Sequence, residues 1–144
     1  MYCVDTAGLR IPADKETAMK KETITIAGQN SPAPVSPATK AGGFIFISGQ
    51  CGYDMREGRF FGDDIESQVR GALDNLCEVL EAAGSDLDHV LRTSIFLKNV
   101  EDFAVVNSIY KEYFTGEKPA RTCLQIAKIP LDALVEIEAV AIEK

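Results

Sequence analysis

The sequence predicts a single α/β (α+β) domain in which two helices lie on one face of a β-sheet. Two segments, 65–83 and 103–114, place apolar residues at the 3.6-residue spacing of an amphipathic helix. Six shorter segments rich in β-branched and aromatic residues occur before, between and after them, as is typical of strands. The predicted order is β, β, β, α, β, α, β, β, and a chain of 144 residues suits one such domain.

The chain begins with a segment that shows no sustained period. We interpret residues 1–21, which mix charges with Gly and Pro, as an N-terminal extension ahead of a domain over residues 22–144. The alternation of ETITIA at 22–27 predicts the first strand. Residues 28–37 contain three prolines, which exclude a regular helix or strand. This loop is equally consistent with the rim of a pocket and with a plain connector.

The next two strands follow that loop. The sequence GFIFISG at 43–49 is largely apolar on both faces and predicts a buried central strand. Its closing Ser48 and Gly49 allow the backbone to approach another group closely. Residues 53–61 contain a turn ending in Gly and predict a hairpin whose second strand begins at Arg59.

The first helix has the clearest start and stop signals. Asp63 or Asp64 can serve as its N-cap, and Gly84 is a suitable C-terminal stop. Its apolar stripe comprises Ile65, Val69, Ala72, Leu73, Leu76, Val79, Leu80 and Ala83.

A strand over 90–97 precedes the second helix, which opens at Asn99 or Glu101 and ends at Gly116. One face of this helix carries Phe103, Val106, Tyr110 and Phe114. Two helices are enough to cover only one face of the sheet. The other face must be polar or covered by something else, and this imbalance predicts oligomerisation through the open sheet face.

Composition and charge exclude several classes of protein. The net charge of −7 and the lack of a Lys/Arg cluster argue against a nucleic-acid binder. The four cysteines have no CxxC spacing, and His89 is the single histidine, so that no metal site and no metal cofactor are predicted. With no apolar run of the roughly 18 residues that a membrane span needs, and no signal-peptide pattern, we expect a cytoplasmic protein.

The last two strands place charged residues inside apolar sequence. Arg121 and Cys123 alternate with Thr122 and Leu124 in the first strand, and Glu136 and Glu138 alternate with Val135, Ile137 and Ala139 in the second. If each strand turns its apolar side to the helices, Arg121, Cys123, Glu136 and Glu138 lie on the side that the helices leave bare.

Two interpretations of this pair of charges remain open. The planar fork of Arg121 could bind a carboxylate through two parallel hydrogen bonds, while Glu136 holds a water as a general base. Together they would hydrolyse a small carboxylate-bearing substrate without a metal. The alternative is a structural salt bridge between the two residues at a subunit interface.

The chain resembles the RidA/YjgF family, the reactive-intermediate deaminases also labelled endoribonuclease L-PSP. The resemblance extends from about residue 21 to residue 144 and is carried by FISGQ at 46–50, AAGS at 82–85, FLKN at 96–99, PARTC at 119–123 and VEIEA at 135–139. It implies a chorismate-mutase-like fold with a mixed sheet, assembled as a homotrimer with a site at each subunit interface. It implies no cofactor.

The resemblance also implies an activity and a set of site residues. Members hydrolyse enamines and imines, such as 2-aminoacrylate and its imine, to a keto acid and ammonia. Arg121 matches the residue that holds the substrate carboxylate, and Glu136 the residue that positions the attacking water. The remaining matches, expected to bind the substrate, are Ser48, Gly49, Asn107 and Cys123. Cys123 is also explained as a small wall residue, and Asn107 as a plain surface residue.

One position departs from the family pattern. Val35 stands where many members carry a Tyr that forms a wall of the pocket, which implies a wider pocket and a substrate larger than 2-aminoacrylate. Other functions remain as alternatives: an RNA-directed translation inhibitor or endoribonuclease, a module that binds a small carboxylate without turnover, and a redox switch at Cys51 or Cys123. The acidic charge argues against the first.

Overall fold

The computed structural model describes residues 2–4, 10–12, 20–29 and 31–144. Within these described ranges it has two helices, α1 (Ile65–Ala82) and α2 (Phe103–Tyr113), and 3-10 turns at Leu87–His89, Val100–Asp102 and Pro130–Asp132. Its strands are β1 (Tyr2–Val4), β2 (Arg10–Pro12), β3 (Glu22–Ile24), β4 (Ala38–Ala41), β5 (Phe44–Cys51), β6 (Tyr53–Asp54), β7 (Arg59–Phe60), β8 (Val90–Leu97), β9 (Ala120–Gln125) and β10 (Val135–Ile142).

The main sheet has six strands in the order β3-β4-β5-β10-β8-β9. All neighbours are antiparallel except β8 and β9, which run parallel, so the sheet is mixed. The pair β1–β2 and the predicted hairpin β6–β7 are separate from it. The sequence did not indicate β4, because its Ala-Thr-Lys-Ala sequence lacks the apolar alternation of a strand.

Helix α1 packs its predicted apolar stripe on one face of this sheet. Asp64 is the N-cap, and its carboxylate accepts a hydrogen bond of 2.9 Å from the backbone N–H of Ser67. Gly84 follows the helix with φ +81°, a conformation that glycine adopts without strain. Beneath the helix, Ile45, Ile95 and Ile137 from three central strands are fully buried. The predicted helix boundaries are therefore confirmed.

Helix α2 covers the β8–β9 end of the same face. Val106, Ile109 and Tyr110 are buried, and the hydroxyls of Tyr110 and Thr93 share a hydrogen bond of 2.8 Å inside the core. The helix ends at Tyr113, three residues before Gly116. Asn99 caps the preceding 3-10 turn rather than the helix itself, so the predicted bounds were too wide at both ends.

Among the described residues, no helix covers the opposite face of the sheet. Phe44, Phe46 and Leu124 on this face are 47%, 53% and 52% exposed. Strand β5 is central in the strand order, as predicted, but the expectation that both of its faces are buried is wrong for one chain. We call this surface the open face. Among the helices that the structure describes, none combines the length and the apolar character needed to cross a membrane.

Candidate functional site

Glu136 lies on the open face, where its carboxylate rests on the backbone of the neighbouring strand. Strand β10 pairs Glu136 with Cys51, and the register shifts just beyond this point, between Ile137 and Ala139. The carboxylate packs against Gly49, where an added Cβ would overlap its Oε1 atom. Gly49 is thus needed for the close approach of the carboxylate, which explains the glycine in this apolar strand.

Cys51 fixes the other oxygen of that carboxylate. Its thiol donates a hydrogen bond of 3.4 Å to Glu136 Oε2. Burial, reinforced by the negative charge of Glu136, raises the pKa of the Cys51 thiol to about 12. The thiol is therefore protonated near neutral pH and acts as a hydrogen-bond donor rather than as a nucleophile. This geometry leaves Oε1 on the Gly49 side as the oxygen available to a ligand.

A cavity of about 360 Å³ adjoins Gly49. Ser48 and Gly49, both predicted to bind the substrate, line it, and so does Val35 from the proline-rich loop. The Ser48 hydroxyl donates a hydrogen bond of 2.7 Å to the carbonyl oxygen of Ser36, which ties this loop to the end of β5. The proline-rich segment therefore forms the rim of a pocket rather than a plain connector. We call Ser48, Gly49, Cys51 and Glu136 the glutamate half-site.

Arg121 is held on the other side of the sheet, against helix α2. The carbon at the centre of its guanidinium lies 4.8 Å from the centroid of the Tyr110 ring and 5.7 Å from that of Phe103. Both distances are within the range of a cation–π contact. Burial raises the pKa of the Tyr110 hydroxyl, which stays neutral beside Thr93. The two rings thus hold the guanidinium beside helix α2.

Asn107 and Cys123 lie on the same side as Arg121. Asn107 is half-buried on α2, four residues after Phe103 and three before Tyr110, which places it on the helix face that carries both rings. Cys123 packs against the core beside Ile95, and burial raises the pKa of its thiol. Cys123 is two residues from Arg121 on the same face of β9, and Asn107 shares the helix face of the two rings that contact Arg121. We call the group of Phe103, Asn107, Tyr110, Arg121 and Cys123 the arginine half-site.

The structure corrects the predicted orientation of the first closing strand. Strand β9 pairs Arg121 with Thr93 and Cys123 with Ile95, and both partners are buried under the helices. Leu124 instead faces the open side. Glu136 was placed correctly on the open face. Arg121 and Glu136 therefore lie on opposite faces of the sheet, and β8 separates their strands.

This separation also bears on the alternative of a salt bridge. None of the ion pairs found among the described residues involves Arg121 or Glu136. Their positions exclude a bridge within one chain. A bridge between two chains at a subunit interface, which is the alternative that the sequence left open, stays a prediction.

Sequence reasoning missed two features of the site. Phe103 and Tyr110 were assigned to the helix stripe, but their rings also hold Arg121; their spacing gave no sign of this second role. Cys51 was considered only as a redox thiol. It lies two residues after Gly49 on the same strand, so strand alternation could have placed both residues beside Glu136. Within the described parts of the chain, no cluster of three or more His, Cys, Asp or Glu side chains could hold a metal ion.

Comparison with known proteins establishes the family. The sequence profile of the family described as Endoribonuclease L-PSP matches residues 22–143. A RutC family protein of Pyrococcus horikoshii is 43% identical over 116 residues, which are 78% of this chain and 92% of that protein. The chain therefore belongs to the RidA/YjgF (endoribonuclease L-PSP) family, as its motifs predicted.

Solved structures confirm the α+β fold with a mixed sheet and two helices. A Rid family protein of unknown function from Yersinia pestis matches with a TM-score of 0.82 and 35% identity, covering 85% of this chain and 99% of that one. The E. coli protein TdcF, solved with bound serine, matches with a TM-score of 0.80 and 28% identity, with coverage of 85% and 99%.

Proposed function

We propose that this protein is a hydrolytic deaminase of reactive imines and enamines derived from amino acids, which it converts to a 2-keto acid and ammonia. The observation that supports the proposal is the environment of the Arg121 guanidinium. Its guanidinium rests on two aromatic rings, and it has no carboxylate partner among the residues that the structure describes. A fixed guanidinium with free donors is suited to bind a substrate carboxylate through two parallel hydrogen bonds.

Glu136 supplies the base in this proposal. A water on Oε1 attacks the carbon of the protonated imine. As the new C–O bond forms, the electron pair of the C=N π bond moves to the nitrogen, and Glu136 accepts a proton from the water. The proton then passes to the nitrogen of the resulting carbinolamine. The C–N bond breaks, ammonia leaves with the electron pair of that bond, and the hydroxyl proton is released as the carbonyl forms. The Cys51 hydrogen bond and the Gly49 backbone hold the carboxylate in one orientation for these steps.

The positions of the two half-sites favour a site shared between chains. Because Arg121 and Glu136 lie on opposite faces of one sheet, a second copy must bring its arginine half-site to the first copy's glutamate half-site. The exposed Phe44, Phe46 and Leu124 of the open face support such an assembly, since apolar surface of this kind is stabilised by burial against another chain. A homotrimer with one site at each interface is the assembly that we propose.

The relatives support the chemical class of the substrate. TdcF carries bound serine, a small amino acid with a carboxylate. A ligand of this class offers the group that Arg121 is oriented to bind, and its α-carbon is where the imine of the corresponding intermediate is located.

The test measures keto-acid release from an imine that an amino-acid oxidase generates in the assay. The wild-type protein should accelerate this release. Arg121→Ala should lower kcat/KM by roughly 100-fold or more, because two charge-assisted hydrogen bonds are worth about 3 kcal/mol or more together. Arg59→Ala, which removes an exposed arginine of the hairpin, is the matched control and should leave the rate unchanged.

Other results of this test would favour the alternatives. Full activity of Arg121→Ala would contradict the assigned role of Arg121. Binding of a keto acid that depends on Arg121, without turnover of any imine, would indicate a carboxylate-binding module. Cleavage or salt-sensitive binding of single-stranded RNA would favour the activity named in the family description.

A further inference from the structure

The cavity beside Gly49 is larger than a substrate with a small side chain requires. Its volume of about 360 Å³ falls within the range of roughly 300–1,000 Å³ typical of small-molecule pockets. The side chain of 2-aminoacrylate, in contrast, is a single methylene carbon. Building on the proposed function, we infer that this cavity binds the side chain of the imine substrate, and that this side chain is bulky, uncharged and apolar.

Gly49 connects the cavity to the reacting atoms. Its backbone lines the cavity, and the Glu136 carboxylate packs on the same residue. An imine carbon beside Glu136 Oε1 therefore lies at the entrance of the cavity. The substituent on that carbon opposite the carboxylate, which is the amino-acid side chain, extends into it.

The chemistry of the lining determines which side chain fits. Its apolar surface comes from Ile24, Ile26, Val35, Pro37 and Met55. The lining contains no Asp, Glu, Lys or Arg among the described residues. A charged side chain would lose its hydration in the cavity without gaining an opposite charge, which makes its binding unfavourable.

Three of the six polar side chains of the lining donate hydrogen bonds to other protein atoms. Ser48 Oγ donates to the Ser36 carbonyl at 2.7 Å, and Gln50 Nε2 donates to the Ser48 carbonyl at 2.8 Å. Gln29 Nε2 donates to Glu78 Oε2 at 3.0 Å. With these donors satisfied internally, the apolar part of the lining is left to select the ligand, and it favours leucine-, methionine- or phenylalanine-like side chains.

Val35 provides a way to change the size of the cavity without disturbing the core. It lies at the rim and is 62% exposed, so a larger residue there can extend over the cavity while the fold is retained. Val35→Tyr should therefore narrow the space for a bulky side chain. Val105→Tyr, on the exposed surface of α2 and away from both half-sites, is the matched control.

The experiment compares kcat/KM for imines generated by amino-acid oxidases from alanine, leucine, phenylalanine and glutamate. We expect the leucine or phenylalanine imine to exceed the alanine imine by about tenfold or more, since each extra methylene in a fitted pocket contributes roughly 10-fold or more. The glutamate imine should be the poorest substrate. Val35→Tyr should lower the ratio of the phenylalanine to the alanine imine about tenfold, whereas Val105→Tyr should not change it.

The outcomes separate this inference from the proposed function. Hydrolysis of all imines at similar rates, or a preference for the glutamate imine, would overturn the inference and leave the deaminase proposal intact. A ratio unchanged by Val35→Tyr in a folded protein would also overturn it. If no imine is hydrolysed faster than in buffer, both fail together. The wild-type series alone is decisive if the Tyr variant does not fold.

Discussion

The two half-sites hold their charged groups in different ways. The Cys51 thiol donates a hydrogen bond to one carboxylate oxygen of Glu136, and the other oxygen packs against Gly49, where it is available to a ligand. Arg121 is instead contacted by the rings of Phe103 and Tyr110, and no carboxylate among the described residues pairs with it. A base must present one oxygen in a defined direction, whereas a carboxylate anchor must keep its N–H donors free. The different surroundings match these two different tasks.

The half-sites also differ in the surface to which they belong. The arginine half-site is built on the covered face, at the edge strand β9 and helix α2. The glutamate half-site lies on the open face, which also carries the exposed Phe44 and Phe46. Each charged group is thus positioned by a separate part of the fold. The proposed reaction requires that the arginine half-site of one chain lies next to the glutamate half-site of another. Substitutions that disrupt one of these regions at a time test whether both are needed.

The largest effect is expected from a charge on the open face. Phe46→Glu should convert the proposed trimer to monomer and abolish imine hydrolysis, because it buries an unpaired carboxylate in the proposed interface and separates the half-sites. Light scattering coupled to gel filtration measures the mass, and the keto-acid assay measures activity. Circular dichroism should show that the fold of the single chain is retained, since the residue is exposed there.

Val105→Glu is the control for Phe46→Glu. It places the same charge on an exposed apolar position of α2, outside the open face, and should leave mass and activity unchanged. A Phe46→Glu protein that is monomeric and fully active would show that one chain contains a complete site.

A smaller effect is expected inside the glutamate half-site. Cys51→Ala should lower kcat about fivefold, because it removes one hydrogen bond worth about 1 kcal/mol that orients the carboxylate. Cys51→Ser, which keeps a donor, should recover most of the rate. Cys77→Ala removes another half-buried thiol from α1 and should have no effect. Equal losses in the Ala and Ser variants of Cys51 would argue against orientation by a donor.

The smallest effect concerns stability at alkaline pH. The pKa of the Cys51 thiol rises from 9.0 to about 12 on folding, so above pH 9 the unfolded chain loses a proton that the folded chain keeps. The free energy of unfolding should therefore fall as pH rises above 9, by about 1 kcal/mol for this thiol by pH 10. Urea denaturation at pH 8, 9 and 10 should show a smaller fall in Cys51→Ala. An identical fall in the wild-type protein and in Cys51→Ala would indicate that the Cys51 thiol is solvated in the folded chain.

Much of the fold could be predicted from local patterns. Helix α1 has a strong apolar period, a capping Asp64 and a terminal Gly84, and each signal acts within a few residues along the chain. Strands β5, β8 and β10 have runs of β-branched and aromatic residues long enough to be recognised. Strand β4 lacks such a run. It pairs with β3 on one side and β5 on the other, and these pairings are not visible in its own sequence.

The orientation of β9 could not be predicted, because alternation indicates which residues share a face and not which face is covered. The prediction assumed that Leu124 turns to the helices. In the structure β9 is an edge strand next to the end of α2, where the rings of Phe103 and Tyr110 receive the Arg121 guanidinium. A cation–π contact of this kind allows an arginine to occupy the helix side of a strand. The open face, by contrast, was expected from the number of helices.

The central claim, that each site joins Arg121 of one chain to Glu136 of another, is tested most directly by mixing two inactive variants. Arg121→Ala and Glu136→Gln chains, carrying different tags and co-expressed, are isolated as mixed oligomers and assayed for keto-acid release. A trimer that contains both variants has about one interface in three that combines an intact arginine with an intact glutamate, so activity should recover to about one third of the wild-type value. Mixed oligomers no more active than either variant alone would contradict the shared site.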